Sequence, residues 1–306
     1  MVISNAKICC GVPRPVCFLF LSCWLIFLPF TASAAITLTG ADGRTVTLQA
    51  PASRIVSLAP DLTELAYDAG AGPDMAGAGK YSDYPAAAKK LPRIGDAFRV
   101  DLERLLALKP DLVLAWQGGT PVALIERLRA LNVPVLVIGT HQLNDIAANL
   151  ELIGHATGHT AEAQAAALAF LAELKQLRKQ YAGREPVRVF YEISATPLYT
   201  VGGHQIISRM IELCGGRNIF SDLGALAAPV SLEAVLARDP QAVVTGGDED
   251  AAARLKGWRR WPQISAVRTG SLFSISSDLL ARATPRILEG GIRLCEDLGE
   301  ARSHTR

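Results

Sequence analysis

Two glutamates occupy matching places in a sentence that the chain writes twice. DLERLLALKPDLVLA at 101–115 carries Glu103, and SLEAVLARDPQAVVT at 231–245 carries Glu233. In each copy a polar residue two positions earlier, Asp101 or Ser231, is suited to cap a helix, which puts the carboxylate in the first helical turn. There it either opposes the helix dipole for about 0.3–1 kcal/mol or, repeated on two similar units, offers a pair of acidic knobs to an external partner. A second group of residues stands at strand ends or on loops, where clefts in α/β sheets form. Tyr81 lies in YSDYP, Trp116 closes DLVLAW just before Gly118-Gly119, and Tyr199 follows Pro197. Tyr81 packed on Pro85 and Tyr199 packed within a loop are the plain alternatives, whereas Trp116 has little core to fill at such a mouth. Asp278 and Arg282, in SSDLLARATPRI, are either polar groups of a cleft or an i,i+4 surface pair contributing about 0.3–0.5 kcal/mol. Ala59 and Pro60, at the turn after the first buried strand, would bring backbone N–H and C=O groups close to anything bound there.

Reaction chemistry has no comparable signal. No G-x-G-x-x-G follows a strand, no G-x-x-x-x-G-K-[ST] occurs, and there is no G-x-S-x-G elbow. Gly202-Gly203 and Gly246-Gly247 are too short to cradle a phosphate. His141, His155, His159 and His204 are scattered; only His155 and His159 share an i,i+4 spacing, and a solvated helix face explains that pair better than a metal site, which needs three or four converging ligands. The expectation is a binding protein, not an enzyme, with no resident metal or cofactor.

These residues need elements to place them. ITLTGADGRTVTL reads as a hairpin turning at Asp42-Gly43, a pair that supplies the positive φ of tight turns. From Arg54 the pattern alternates: strand RIVSLAP, helix DLTELAYDAG, helix 101–108, strand 111–116, helix 121–131 and strand 133–139. Short apolar strands alternating with amphipathic helices imply a mainly parallel sheet covered on both faces. The rhythm then breaks into helix formers from Asp145 to Gly183, densest in TAEAQAAALAFLAELKQLRKQYAG, which would make a helix of about 30–35 Å, suited to a stiff connection between two lobes. It resumes with VRVFYEI, ISRMIELCGG, the second copy of the repeated sentence, QAVVTGG and SLFSIS, and closes with the helix TPRILEGGIRLCEDLGEA. The expected organisation is a leader at 1–34, a first lobe at 35–158, a connecting helix at 159–183 and a second lobe at 184–306.

The leader reads as an export signal: Lys7 and Arg14, the apolar run FLFLSCWLIFLPF, then Ala32-Ser33-Ala34 as a cleavage site. Thirteen apolar residues fall short of the roughly 20 that span a bilayer. Its removal takes the net charge from +2 to zero, which gives no reason to expect nucleic acid or an acidic membrane surface as partner. It also removes four of six cysteines and leaves Cys214 and Cys295, which an oxidising compartment would pair; two buried free thiols are the alternative.

YSDYPAAAKKLPRIGD, DLERLLALKPDLVLAWQGG, IELCGGRNIF and SSDLLARATPRI, in this order and spacing over essentially all of Arg54–Leu298, resemble the periplasmic cobalamin-binding proteins of ABC importers. The resemblance implies the helical-backbone (class III) solute-binding fold: an α/β protein of two Rossmann-like lobes with central parallel sheets, one long rigid helix between them, and a corrinoid held in the cleft. It implies ligand contacts at Tyr81, Trp116, Tyr199, Asp278 and Arg282, docking of Glu103 and Glu233 on an ABC permease dimer with its ATPase subunits, and the Cys214–Cys295 disulfide. A flat corrin rimmed by amides calls for aromatic walls and a few hydrogen-bonding groups. Ala97 and Ala227 stand where the family has tryptophans, with Phe98 as a substitute beside the first and Trp258 or Trp261 as compensation if they are not on a solvent-side helix. The same architecture also carries haem through tyrosine ligands, for which Tyr81 and Tyr84 qualify; a siderophore carrier would be expected to show more basic groups than Arg99 and Arg282.

Overall fold

A computed structural model describes Gly11 and residues 35–96, 99–247 and 249–304. The leader and the Ala97-Phe98 pair therefore lie outside the described residues, Gly11 excepted. The hairpin β1 (Ile36–Thr39) and β2 (Thr45–Leu48) turns at the expected Asp42-Gly43. The first lobe contains β3 (Ile55–Ser57), α1 (Pro60–Asp68), β4 (Met75–Ala78), α2 (Leu102–Ala107), β5 (Leu112–Trp116), α3 (Val122–Ala130) and β6 (Val135–Ile138). Its four strands run parallel in the order β4-β3-β5-β6. Every residue of β3 and β6, and all of β5 except Trp116, is buried, as continuous Val/Ile/Leu strands must be when helices cover both sheet faces.

Two helices follow, α4 (Asp145–Thr157) and α5 (Thr160–Tyr181), parted at Gly158, whose φ of 81° ends α4 in the left-handed region. The 22 residues of α5 reach about 33 Å. Its buried residues, Ala163, Ala167, Phe170, Leu174, Leu177 and Tyr181, alternate four and three apart and so form one stripe. That stripe packs on α1 and α4 on one side, and on α6 (Ile206–Leu213) and α11 (Ile287–Ser303) of the second lobe on the other.

The second lobe holds β7 (Val187–Ala195), β8 (Leu198–Val201), α6, β9 (Gly216–Asn218), β10 (Ala227–Pro229), α7 (Leu232–Arg238), β11 (Ala242–Gly246), α8 (Ala251–Trp258), α9 (Ser265–Thr269), β12 (Leu272–Ile275), α10 (Ser277–Leu280) and α11. The sequence pattern implies a parallel sheet, and β9, β7, β11 and β12 are parallel; β8 and β10 add an antiparallel arm in the order β10-β8-β7-β11-β12. The nine-residue β7 makes this mixture feasible: its first half pairs with β9, while Glu192–Ala195 fold back on β8 across Thr196-Pro197. Tyr199, read from the sequence as a loop aromatic, is thereby a strand residue opposite Pro229.

Apolar packing makes this a connected body. The outer face of each lobe has its own cluster, around Ile94, Leu105 and Leu128 in the first and Phe190, Phe220 and Trp258 in the second. The inner faces share one cluster that runs from the hairpin through α1, α4 and α5 to α6 and α11. Trp258 is not on a solvent-side helix: it meets Phe190 edge-on at 5.4 Å and its indole N–H donates to the buried Glu192 carboxylate. Cys214 and Cys295, both fully buried, are bonded and tie the end of α6 to the middle of α11. No helix among the described residues is long and apolar enough to cross a membrane.

The disulfide closes a separation of 81 residues, and removing such a link typically costs about 2–5 kcal/mol. The Cys214→Ala/Cys295→Ala double variant is expected to lose about that much in denaturant unfolding, and reductant should bring the parent toward the same midpoint. Unchanged midpoints in both experiments would contradict the assignment.

Candidate functional site

In α/β sheets the residues just beyond the carboxyl ends of strands line the crevice. Trp116 ends β5 and Gln117 follows it, Thr140 and His141 follow β6, Gly246 ends β11, and Ser277 follows β12; all of them face one space. Two adjoining cavities of about 300 and 310 Å³ make up this cleft, with Asp61, Trp116, Ser277 and Ala281 as common walls. The second lobe contributes an apolar floor from Ile193, Val201, Ile206 and Ile207.

Trp116 is 36% exposed, unusual for an indole at the end of a buried strand. Two bonds close the turn behind it: its backbone N–H donates to the Thr120 hydroxyl at 2.9 Å, and its carbonyl accepts from the Thr120 N–H at 2.9 Å. The indole then lies over Gly119, where an added Cβ would come within 1.7 Å of the ring, so the second glycine of WQGG is what lets the ring lie there. Tyr81 is 64% exposed and has a φ of 68°, a conformation rare for a bulky residue. Arg93 braces its loop by donating to the carbonyls of Gly79, Ser82 and Ala88.

Arg282 holds the polar side of the cleft. Its guanidinium meets Glu64 at 2.5 Å, Asp278 at 2.7 Å and Asp83 at 3.0 Å, and donates to the Tyr81 carbonyl at 3.3 Å. The i,i+4 pair with Asp278 is real but is only one of four contacts; the other three come from the first lobe. Glu64, fully buried on α1, also accepts from the Thr284 hydroxyl and lies 3.8 Å from Arg286, which in turn stacks on the Tyr84 ring at 3.7 Å. Burial pushes the Glu64 carboxyl above its usual range, while the Arg282 bond and charge pull it down. Asp61, in the first turn of α1, is pushed up to about 6, chiefly by burial, against hydrogen bonds from the backbone N–H groups of Leu62 and of Asp61 itself.

The structure thus gathers Ala59, Pro60, Tyr81, Trp116, Asp278 and Arg282 around one cavity. Tyr199 is on neither cavity wall, and Phe98 lies outside the described residues. Ala227 does line the cleft, so its short side chain leaves room where the resembled family has an indole. Glu103 and Glu233 lie away from the cleft, exposed in the first turns of α2 and α7, with Asp101 and Ser231 capping the Arg104 and Ala234 N–H groups as expected. Glu233 is held below the usual carboxylate range by its own N–H and by the Ser231 hydroxyl. Sequence reasoning missed Asp61, Gln117, Thr140, Tyr191 and Gln205 as cleft residues and set His141 aside. Applying the strand-end rule to β6 as well as to β5 would have found Thr140 and His141. Of His155 and His159, the pair at i,i+4 spacing, His159 bonds Asp74 at 2.7 Å.

The family model described as "Periplasmic binding protein" matches residues 55–279. The Vitamin B12-binding protein of Vibrio cholerae serotype O1 (strain ATCC 39541) is 39% identical over 246 residues, covering 80% of this chain and 88% of that one. The Vitamin B12-binding protein of Yersinia pestis (strain Pestoides F) is 37% identical over 248 residues, covering 81% and 86%. The crystal structure of the periplasmic vitamin B12 binding protein BtuF of Vibrio cholerae superposes with a TM-score of 0.78 at 38% identity, covering 82% of this chain and 98% of that one. With two lobes bridged by one long helix, a cleft at the strand ends and these matches, the chain belongs to the periplasmic binding protein family.

Proposed function

We propose that this chain captures cobalamin or a close corrinoid in the cleft between its lobes and delivers it to an ABC importer in the inner membrane. The observation that carries the reading is the pairing of an exposed, glycine-seated Trp116 with an apolar floor in a cleft whose relatives of 39% and 37% identity are vitamin B12-binding proteins. An indole face and the exposed Tyr81 ring provide flat apolar walls, and the amide, hydroxyl and carboxyl groups of Gln117, Thr140 and Asp61 suit amide-rimmed cargo. The corrinoid is cargo, and the protein itself is read as needing no resident cofactor and catalysing no reaction; ATP is used by its partner. Export to the periplasm is read from the leader.

Calorimetric titration of the purified protein with cyanocobalamin, with dicyanocobinamide and haemin in parallel, tests the ligand. One-to-one binding of a corrinoid is expected, weakened by about 2 kcal/mol or more, roughly thirtyfold, in Trp116→Ala. Binding of haemin alone would move the cargo to the other macrocycle.

The exposed glutamates give a separate expectation. Glu103→Arg and Glu233→Arg, together, should retain corrinoid affinity and lose uptake in cells that depend on this protein, because each would set a cation against the arginines expected on the permease. Normal uptake with the double variant would rule out docking through these residues.

Asp61 supplies a pH test. Burial pushes its carboxyl up to about 6 in the folded chain, from the usual aspartate value of about 3.8 in the unfolded one. Folding therefore takes up a proton between those values, and stability from this group is greatest below about 3.8 and is lost as pH rises through 6. Asp61→Asn should raise unfolding stability at pH 7 by about 1–3 kcal/mol and confer little at pH 4. An equal change at both pH values would show that the buried charge is not the cause.

A further inference from the structure

His141 lines the cleft beside Trp116 and is exposed there. Two hydrogen bonds in series fix its ring. The Ala41 carbonyl can only accept, so the Gln117 Nε2 that lies 3.0 Å from it must be the amide nitrogen. Gln117 Oε1 then faces His141 Nε2 at 3.0 Å, and an amide oxygen can only accept, which places the imidazole proton on Nε2. Nδ1 is left with an in-plane lone pair and, among the described residues, no partner. The backbone beneath is also fixed, because the N–H groups of His141 and Gln142 both donate to Asp145 Oδ2 at 2.8 Å. Gly139 makes room for the amide: a Cβ there would come within 2.3 Å of Gln117 Oε1.

A neutral imidazole whose far nitrogen donates to a fixed oxygen is the arrangement by which proteins orient a metal ligand. No group of three or more His, Cys, Asp or Glu among the described residues could hold a free ion. A lone imidazole therefore suits a metal that arrives with its other ligands in place, such as one held by the four nitrogens of a macrocycle with an exchangeable axial position. Resting on the corrinoid reading above, we infer that His141 Nδ1 coordinates the cobalt of a bound aquo-corrinoid. The cobalt–oxygen bond breaks, water leaves with its electron pair, and the Nδ1 lone pair forms the cobalt–nitrogen bond. Cobalt stays trivalent and no proton moves. The cleft accordingly prefers corrinoids whose axial ligand is water over those whose axial ligand is cyanide.

Visible absorption during titration with aquocobalamin and, separately, cyanocobalamin tests this. Aquocobalamin is expected to take on the band positions of an imidazole–cobalamin complex prepared in solution, and cyanocobalamin to bind with its spectrum unchanged. His141→Ala should abolish that shift and lower the preference for aquo over cyano by about tenfold or more, and Gln117→Leu, which frees the ring without removing it, should lower it by roughly tenfold. Tight aquocobalamin binding with an unshifted spectrum overturns the coordination and leaves the corrinoid reading standing. Failure of both cobalamins to bind overturns both.

Discussion

The chain passes from one lobe to the other once, and the buried stripe of α5 is what turns that single passage into a fixed geometry. Ala163 and Ala167 lie toward the start of the helix and Leu177 and Tyr181 toward its end, and one apolar cluster contains them all together with the inner faces of both lobes. A crossing made of a flexible linker would leave the cleft width to diffusion. A helix buried on a shared stripe cannot bend without opening apolar contacts on both sides, so the two walls of the cleft are set relative to one another before any ligand arrives.

The ionic contacts around Arg282 act on the same geometry from the cleft side. Glu64 belongs to α1 of the first lobe, whereas Arg282, Thr284 and Arg286 all follow α10 of the second. A fully buried carboxylate is costly to leave alone, and it is met here by a guanidinium, a hydroxyl and a second cation. Separating the lobes at this point would strip the partners from a buried charge. The apolar stripe at the back and the ion cluster at the cleft therefore restrain opening through different physics, the first nearly insensitive to salt and the second shielded from it by burial.

Much of this architecture is legible in the sequence because it is written in local periodicity. Continuous apolar strands such as LVLA in β5, the four-and-three spacing along α5, and the caps Asp101 and Ser231 each follow from near neighbours in the chain. Trp116 was recoverable because a large aromatic at the end of a buried strand has no local use. What escaped depends on distant pairing. The antiparallel arm exists because β7 is long enough to be shared by β9 and β8, and no residue of LYTV announces it. Glu64 looks like any polar position on an amphipathic helix until residues more than 200 positions later close over it. His141 likewise becomes a cleft residue only when Ala41 and Gln117 are brought beside it by the hairpin and β5.

The repeated helix–strand sentence has one further geometric result. Thirteen positions separate Glu103 from Trp116, and thirteen separate Glu233 from Gly246. In each lobe an exterior carboxylate thus begins a unit whose other end forms a wall of the cleft. Each unit is one short stretch of backbone, so the gap between Trp116 and Gly246 and the span between Glu103 and Glu233 are set together. The two carboxylates therefore mark, on the outside of the molecule, the separation at which the cleft walls are held.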